Sequence, residues 1–502
     1  MPARTLMLLG TASSVGKSLL VTALCRIFAR EGLRVAPFKA QNMALNSYVT
    51  REGHEMGRAQ VAQAQAAMVE PHVDMNPILL KPEADSRSQV VLMGRPWRTI
   101  PARSYYRCRK ELWAAVTAAL DRLRAAYDLV IIEGAGSPVE LNLKGGDIVN
   151  MAVARHAQAP VLLVGDIDRG GIFAQLLGTL WLLEPEERGL VRGLIVNKFR
   201  GDLALFEEGV RILEERGGVP VLGVIPYLPG LRIAQEDSVF LEDHRALGEG
   251  QEVDIAVIRL PHISNYDDFD ALAMEEGVRV RFVESVEELG QPDAVILPGS
   301  KTTLDDLRWL RSRGLDGAIV ALAGAGKAVA GICGGYQMLG RLVRDALGIE
   351  GRGRAQPGLG LLPVDTDFEP EKATFQVRAR VIGGEGFLAG LEGIEVEGYE
   401  IHMGRSRLLE GTQPLLRITR RGGEAVDVLD GAVSVGGRVW GTYLHGIFDN
   451  PAFRRAWLRS LGWRGEGPGE TLAAMREREY DRLADHVQAH LDMARLREII
   501  GL

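Results

Sequence analysis

Short runs of consecutive apolar residues alternate with helical patterns along the first half of the chain, and this alternation limits the possible folds more than any other feature. The runs are rich in Val, Ile and Leu and lack the polar alternation of a strand with one face in water, so they predict strands of a parallel sheet covered on both faces. The predicted strands are Thr5–Gly10, Arg34–Phe38, Leu129–Ile132, Val161–Val164, Leu194–Val196 and Val221–Ile225. The predicted helices include Ser18–Arg30, Glu55–Val69 and Trp113–Ala126. Together they indicate a doubly wound α/β domain.

A second α/β pattern begins after the polar, glycine-containing stretch at 246–251. From Leu359 to Leu444 the pattern changes to short strands with glycine turns, which predicts a partly antiparallel, and therefore mixed, extension of the second sheet. The tail predicts amphipathic helices, above all in Thr471–Ile500. The second pattern consists of strands Ile255–Arg259, Ala294–Leu297 and Ala328–Ile332 with helices Leu304–Ser312 and Gly317–Ala323. We therefore expect two doubly wound domains, residues 1–245 and 252–450, and a helical C-terminal extension, residues 451–502.

The composition is that of an ordinary globular protein. The chain has 502 residues, 46% of them hydrophobic and 25% charged, with a net charge of −7. Its cysteines, Cys25, Cys108 and Cys333, are too widely spaced for a disulfide scaffold or a zinc ribbon and fit a reducing cytosol. The N-terminal apolar run is too short for a signal peptide, and no membrane-spanning run or basic tract is visible. We expect a cytoplasmic protein without nucleic-acid or membrane partners, whose oligomeric state stays open.

The run from Gly10 to Ser18, Gly-Thr-Ala-Ser-Ser-Val-Gly-Lys-Ser, follows the first strand and opens the first helix. This context predicts a P-loop that binds phosphates: backbone amides, including those near Thr11 and Gly16, cradle the phosphates and Lys17 reaches the β and γ oxygens. Ser18 would supply an oxygen to Mg²⁺. The spacing departs from the plain Walker pattern, because Gly10 stands one residue further from Gly16 and Thr11 occupies the usual glycine position.

Polar residues at the ends of later strands complete the predicted phosphate site. Glu133 ends a strong strand and is the candidate second oxygen donor to Mg²⁺, because acids at the carboxyl ends of parallel strands face the ligand crevice. Asp166 is a weaker candidate for the Mg²⁺ carboxylate and for phosphate or substrate contacts. Asp147 is either a residue of this kind, with a catalytic or metal role, or the N-cap of a helix over Ile148–Arg155. Asn197 either meets a purine or is an ordinary polar residue at a strand end.

In the second domain, Cys333 lies in the run Val-Ala-Gly-Ile-Cys-Gly-Gly-Tyr, where a strand ends and a helix begins. Such a turn exposes the sulfur at the edge of a sheet and directs helix amides at it, which favours the nucleophilic thiolate. His445 follows the strand-like run that begins at Trp440 and could serve as the base. The sequence therefore predicts nucleophilic catalysis by Cys333 and His445 rather than a merely buried thiol.

These motifs resemble those of two known families. The stretched P-loop, with Glu-Gly-Ala-Gly from Glu133, resembles dethiobiotin synthetase and its relatives, and the run around Cys333, with His445 downstream, resembles the class I glutamine amidotransferases. Joined in this order they resemble the corrinoid amidases over nearly the whole chain. Four runs carry the likeness to the branch that acts on adenosyl-cobyrinic acid a,c-diamide: Pro37–Ser47, Leu143–Asn150, Asp166–Gly171 and Gly398–Gly404. The Gly-Pro-Asp-Tyr-type run expected after the second strand of the a,c-diamide synthases is absent.

The resemblance implies a ligase that uses ATP, Mg²⁺ and L-glutamine to amidate four carboxylates, b, d, e and g, of a small-molecule corrinoid in cobalamin biosynthesis. The backbone amides of Gly299 and Gly334 would stabilise the oxyanion formed from glutamine. Lys39, Arg169 and Lys81 are candidate partners of the substrate carboxylates, each with the alternative of a surface charge.

One position departs from the amidotransferase pattern. Most class I members place a Glu two residues after the catalytic His, and here that residue is Ile447, a loss that the corrinoid branch shares. Either Glu400 or a backbone carbonyl could orient the ring of His445 instead. Two other functions remain alternatives. A CTP-synthase-like ligase would carry the missing Glu, and a partitioning-type P-loop ATPase would lack glutaminase activity.

Overall fold

A computed structural model of the protein describes residues 2–83, 87–233, 246–248, 250–350, 355–466 and 469–502. The chain forms two compact units, neither of which is continuous in sequence. The first unit comprises Met1–Ala44, Glu55–Glu236 and Met475–Leu502, and the second comprises Leu45–His54 and Asp237–Ala474. In the described parts of the chain, no helix combines the length and the apolar character that crossing a membrane requires.

These units differ in two places from the expected three-part division at 1–245, 252–450 and 451–502. Residues Leu45–His54, here called the inserted segment, group with the second unit although both flanks belong to the first. The end of the tail, Met475–Leu502, groups with the first unit. The end of the predicted first domain falls on residues 234–245, which lie outside the described residues.

The first unit is built on a six-stranded parallel sheet, which confirms the predicted fold class. All six predicted strands are present, with ends that differ by at most three residues. In spatial order they are Val221–Pro226, Val191–Phe199, Val161–Asp166, Arg4–Gly10, Leu129–Glu133 and Val35–Phe38. The helices of this unit are Lys17–Arg30, Arg58–Ala66, Arg109–Ala126, Met151–Ala157, Ile172–Leu182, Pro185–Arg188 and Glu207–Gly217. The central strand Arg4–Gly10 is buried on both faces beyond its first residue, as its continuous apolar sequence predicts.

The predicted helix Glu55–Val69 is wrong at both ends. Residues Glu55–Gly57 are extended, and the helix runs from Arg58 to Ala66. Glu55 is held by a buried ion pair with Lys81, at 2.6 Å between Oε1 and Nζ, so a tertiary contact overrides the local helical pattern. A small sheet that the sequence pattern did not indicate lies nearby, with strands Gln41–Met43, Ile78–Glu83, Arg87–Leu92 and Arg95–Pro101.

The C-terminal helices Leu472–His490 and Met493–Ile500 confirm the predicted helical tail. Within the first unit the Asp481 carboxylate accepts a hydrogen bond from Nε of the buried Arg26 at 2.8 Å, and the Tyr480 hydroxyl donates to Gln65 at 3.1 Å. The backbone N–H of Asp492 donates to the carbonyl of Leu222 on the edge strand at 2.7 Å. The tail therefore covers the first helix and the outer edge of the parallel sheet.

The second unit contains a seven-stranded mixed sheet. Its strands, in spatial order, are Ala246–Leu247, Val278–Val283, Val253–Ile258, Ala294–Leu297, Ala328–Ile332, Val439–Thr442 and Ala432–Val433. The five inner strands are parallel, and the two edge strands pair antiparallel. Its helices are Asp270–Ala273, Val286–Leu289, Thr303–Ser312, Leu315–Gly324, Gly334–Leu339 and Pro451–Ser460.

We expected the strands between Leu359 and Leu444 to extend this sheet. Most of them form a separate sheet instead. Its strands are Ala355–Pro357, Leu342–Arg344, Val364–Val381, Leu416–Arg421 and Glu424–Asp430, with Glu395–Leu408 paired to the long strand Val364–Val381. That long strand pairs antiparallel with two neighbours, so the backbone groups of these strands are satisfied among themselves. From this region, the seven-stranded mixed sheet contains two strands, Ala432–Val433 and Val439–Thr442.

Candidate active sites

The predicted P-loop lies where strand Arg4–Gly10 ends and helix Lys17–Arg30 begins. Gly16 has φ +98°, in the left-handed region, and a Cβ there would lie 2.1 Å from Nδ2 of Asn197, so both the backbone and the packing require glycine. The Lys17 ammonium donates to the carbonyl of Ala12 at 3.0 Å and to that of Gly136 at 3.4 Å. The hydroxyl of Thr11 donates to Gln175 at 3.1 Å. The Lys17 ammonium thus contacts the backbone of the loop that is expected to bind phosphates.

Glu133 lies at the centre of a buried polar cluster beside this loop. Its Oε1 accepts hydrogen bonds from the Ser18 hydroxyl at 2.8 Å and from the Lys39 ammonium at 2.9 Å. Its Oε2 accepts from Nε2 of Gln63 at 2.6 Å. Burial opposes ionisation, but the charge of Lys39 and these hydrogen bonds outweigh it and lower the pKa of Glu133 below its ordinary value. Glu133 is therefore a carboxylate at neutral pH.

The Ser18–Glu133 pair fits a Mg²⁺ ion. A hydroxyl and a carboxylate oxygen are hard ligands, and Mg²⁺ is commonly held by one or two carboxylates together with substrate phosphates. The structure brings Ser18 and Glu133 together from positions 115 residues apart. The sequence motifs predict these two residues as Mg²⁺ ligands but not Gln63, which lies in no motif and reaches Glu133 only because its helix packs there.

Two polar residues contact the P-loop from a nearby strand end, and a third, Asp166, contacts one of them. Nδ2 of Asn197 donates to the carbonyl of Val15 at 2.8 Å. The Lys198 ammonium donates to the carbonyl of Ser14 at 2.7 Å and to the carboxylate of Asp166 at 2.8 Å. Asn197 and Asp166 were expected at this site, whereas Lys198 was not singled out. A lysine after a strand-end Asn is as often a surface charge, so no sequence pattern indicates its contact with the loop.

The remaining candidates lie in different surroundings. Asp147 accepts hydrogen bonds from the backbone N–H groups of Val149, Asn150 and Ala152 at 2.8–3.0 Å, which are the contacts of a helix-capping residue. Arg169 is exposed in the loop after Asp166. Lys81 forms the buried ion pair with Glu55 described above, so of the three cations proposed to meet substrate only Arg169 is exposed.

In the second unit, Cys333 lies at a strained turn between a strand and a helix. Strand Ala328–Ile332 ends directly before it and helix Gly334–Leu339 begins directly after it. Cys333 itself has φ +51° and ψ −110°, a conformation that a residue with a side chain rarely adopts. A Cβ on Gly335 would lie 1.9 Å from the carbonyl oxygen of Leu297, so only glycine fits beneath the turn. The local sequence thus builds the predicted nucleophile turn.

His445 is completely buried and held on two sides. Its Nδ1 lies 2.7 Å from Oδ2 of Asp268, whose Oδ1 accepts the backbone N–H of Gly446 at 3.0 Å. Its ring stacks on that of Tyr399, with centroids 5.2 Å apart and planes inclined by 16°. Its Nε2 has no hydrogen-bond partner among the described residues. This nitrogen is therefore the one available to exchange a proton with a neighbouring thiol.

Electrostatics make this histidine a cation at neutral pH. Burial on its own lowers the pKa of His445, but the charge and hydrogen bond of Asp268, followed by the interaction with Cys333, raise it to about 10. Cys333, His445 and Asp268 thus have the arrangement of a nucleophile, a base and an acid that orients the base.

The orienting acid corrects our expectation for Glu400. Glu400 does not orient His445, because its two oxygens accept hydrogen bonds from the guanidinium of Arg421 at 2.7 and 2.8 Å. Asp268 comes instead from a turn far upstream, 177 residues from His445. The acid-rich run Asn-Tyr-Asp-Asp-Phe-Asp from Asn265 was the available signal, because it follows strand Val253–Ile258 of the second unit.

Gly299 and Gly334, the expected oxyanion donors, lie beside the same residues. A Cβ on Gly299 would lie 3.1 Å from Cε1 of His445, and one on Gly334 would lie 2.9 Å from the backbone nitrogen of Ser300. The two glycines follow neighbouring parallel strands, Ala294–Leu297 and Ala328–Ile332. Their backbones therefore approach each other next to the turn that carries Cys333.

The two halves of the chain match two family descriptions. Residues 6–239 match the CobQ/CobB/MinD/ParA nucleotide binding domain, and residues 254–453 match the CobB/CobQ-like glutamine amidotransferase domain. Among solved structures, the chain is similar to PurLQS from Thermotoga maritima at 21% identity, covering 42% of this chain and 100% of that one, with a TM-score of 0.34. That score is too low to carry an argument.

Relatives with curated names match over the full length. Cobyric acid synthase of Roseiflexus castenholzii is 56% identical, with 100% of both chains covered. Cobyric acid synthase of Sorangium cellulosum is also 56% identical, over 100% of this chain and 99% of the relative. That of Dehalococcoides mccartyi strain CBDB1 is 54% identical over 99% of each chain. A likeness of this extent, on a chain with both a P-loop and a Cys–His–Asp site, shows that the protein belongs to the cobyric acid synthase family of glutamine amidotransferases.

Proposed function

We propose that this protein is a glutamine-dependent, ATP-driven ligase that amidates the b, d, e and g carboxylates of adenosyl-cobyrinic acid a,c-diamide to give cobyric acid. The observation that carries the proposal is the presence, in one chain, of a phosphate loop with a buried acid beside it and of a cysteine paired with a charged histidine. Full-length relatives that bear the name cobyric acid synthase support the choice of substrate.

The glutaminase half-reaction follows from the state of the Cys333–His445 pair. The thiolate of Cys333 attacks the amide carbon of glutamine, while the amides of Gly299 and Gly334 stabilise the oxyanion. The His445 imidazolium gives its proton to the leaving nitrogen, and ammonia departs as a thioester forms. Water then attacks the thioester with His445 as the base, so that glutamate is released and the thiolate returns.

The synthetase half-reaction uses the first unit. A carboxylate of the corrinoid attacks the γ-phosphate of ATP, ADP leaves, and the acyl phosphate that forms loses phosphate when ammonia attacks its carbon. Lys17 neutralises charge on the phosphates as they transfer. When Mg²⁺ is bound, it supplies further charge neutralisation, and Ser18 and Glu133 would hold it. Asn197 and Asp166 would keep the loop in place around the nucleotide.

Two cations of the first unit are candidate partners for the oxygens of the substrate. Arg169 is an exposed cation in the loop after Asp166, and Lys39 is a buried one beside Glu133, so each could meet a carboxylate or phosphate oxygen at a different depth. For Asp147, the helix-capping contacts favour a structural role in shaping the loop near the helix Met151–Ala157.

The decisive experiment compares glutamine with ammonium as the nitrogen donor. Cys333→Ala should abolish glutamine-dependent amidation, by at least about 1,000-fold, and leave ammonium-dependent amidation intact, because only the thioester step needs the sulfur. Lys17→Ala should lose both activities. Cys108→Ala, which removes a thiol outside both sites, is the control and should retain both. Glutamine-dependent turnover by Cys333→Ala would refute the nucleophile, and mass spectrometry showing fewer than four added amides in the parent product would refute the proposed substrate range.

A further inference from the structure

The inserted segment is separated in sequence from the rest of the second unit, and it contacts the turn that carries Asp268. The backbone N–H of Ser47 donates to Oδ1 of Asn265 at 2.9 Å. In return, the backbone N–H of Tyr266 donates to Oδ1 of Asn46 at 3.3 Å. Asn46, Ser47 and Asn265 are all at most 2% exposed. Two asparagine side chains thus join the segment to the turn reciprocally, away from water.

The first residue of the turn has a left-handed backbone conformation. Asn265 has φ +54° and ψ +45°, a region that residues other than glycine enter rarely, asparagine more often than most. A residue keeps that conformation only where its surroundings fix it. The carbonyl of Asn265 accepts the backbone N–H of Asp268 at 3.1 Å, so the position of Asp268 follows from that of Asn265.

The inserted segment also supports the other side of the histidine. The Tyr399 hydroxyl donates to the carbonyl of Ser47 at 3.4 Å, and the ring of Tyr48 lies 5.4 Å from that of Tyr399. Tyr399 is the residue on which His445 stacks. The segment therefore contacts both the turn of the orienting acid and the ring that packs against the base.

From these contacts we propose that the inserted segment is a positioning element of the glutaminase site, and that Asn46 is the residue through which it fixes the Asp268 turn. The inference rests on the proposed roles of Cys333 and His445. Asn46 touches no reacting atom, so it acts only through Asp268. If its contact is lost, the Asp268 carboxylate moves away from Nδ1 of His445 part of the time, and the imidazolium loses its stabilising charge.

The test is Asn46→Ala, which removes the acceptor for the Tyr266 N–H. We expect kcat for glutamine-dependent amidation to fall by about 10- to 100-fold, as is typical when the partner of an active-site residue is lost, with KM for glutamine within about threefold. Ammonium-dependent amidation should stay within about twofold. Asn46→Asp is nearly isosteric and keeps an acceptor oxygen, so it should recover much of the lost kcat.

The pH profile separates positioning from a general loss of structure. The described titratable groups that face His445 are Asp268, Cys333 and Tyr399, and only the first is coupled to the inserted segment through the Asn265 turn. If Asp268 is less firmly positioned, the pH above which glutaminase activity declines, the alkaline limb of the pH profile, should fall by about one unit or more. Partial unfolding would instead lower the activity at every pH without moving this limb. Ser285→Ala, which removes a side-chain acceptor for the backbone N–H of Glu288 elsewhere in this unit, is the matched control and should leave the limb in place.

A second variant keeps the inference testable if Asn46→Ala does not fold. Tyr399→Phe retains the ring on which His445 stacks and removes the hydroxyl that reaches Ser47, so we expect a smaller fall in kcat, about two- to fivefold, and a shift of the limb in the same direction. An unchanged kcat and an unmoved limb in either folded variant would overturn the positioning role. If Cys333→Ala in addition still used glutamine, the fault would lie in the proposed function and not in the inserted segment.

Discussion

The phosphate site and the glutaminase site both contain a buried carboxylate next to a cation, but the two cations differ in kind. Glu133 is paired with the ammonium of Lys39, whereas Asp268 is paired with the imidazole of His445, whose pKa is raised to about 10. Under the proposed function, the first arrangement would support phosphate chemistry electrostatically. The second can release and take up a proton, which acid–base catalysis at sulfur requires. Similar geometry thus serves two kinds of chemistry according to which cation faces the acid.

The largest expected effect tests the orienting acid. Asp268→Asn should lower kcat for glutamine-dependent amidation by about 1,000- to 10,000-fold, because an amide can hold the histidine in the wrong tautomer and cannot stabilise the imidazolium. Ammonium-dependent amidation, measured with the same corrinoid, should be unchanged. A loss below tenfold would mean that Asp268 does not orient His445 and that the contrast with Glu133 has no functional meaning.

The pH dependence of folding separates the two carboxylates. The folded-state pKa of His445 is raised to about 10, so the stabilisation from Asp268 is fully present below the ordinary histidine value, about 6.5, and is lost as pH rises through about 10. The folded-state pKa of Glu133 is lowered, so its stabilisation is present above the ordinary glutamate value and is lost as pH falls. The difference in unfolding free energy between the parent and Asp268→Asn should therefore shrink above pH 10, and that for Glu133→Gln should shrink in acid.

A smaller effect on turnover is expected at the fixed pair. Glu133→Gln removes the carboxylate charge that lies 2.9 Å from the ammonium of the buried Lys39, so both glutamine- and ammonium-dependent amidation should fall by about 100-fold or more, and stability by about 3–5 kcal/mol. Glu187→Gln is the control, because it breaks an ion pair with Lys144 in the same unit, away from the P-loop. It should reduce stability and retain turnover. Equal loss of turnover in both variants would make Glu133 a structural residue only.

The smallest effect concerns Lys198, which the sequence did not single out. Lys198→Met removes two hydrogen bonds, to Ser14 and Asp166, that hold the phosphate loop, so KM for ATP should rise by about three- to tenfold with kcat little changed. Lys327→Met, which breaks a comparable ion pair with Asp293 in the second unit, should leave KM for ATP unchanged. A fall in kcat with KM unaltered would instead place Lys198 in the chemical step.

The sequence predicted those parts of each site that form one continuous motif or lie at the end of a strand. The P-loop is a single run of residues, and the glycines beside Cys333 indicate a tight turn, so both could be located without a structure. Asp268 could not, because its meeting with His445 depends on how loops far apart in the chain fold over one sheet. The same holds for Gln63 beside Glu133, for the extended Glu55 within a helical pattern, and for the antiparallel sheet, whose strand partners are chosen by packing.

The inserted segment has a practical consequence for anyone who divides this protein. A fragment that begins at residue 252 contains Cys333, His445 and Asp268 but lacks Asn46 and Ser47. The turn that carries Asp268 would then lose its contacts with the inserted segment. Likewise, a fragment that stops at residue 245 lacks the helices that cover its sheet edge. No single break in the chain separates the two activities cleanly, so a working split would have to add residues 45–54 to the glutaminase fragment and residues 475–502 to the other.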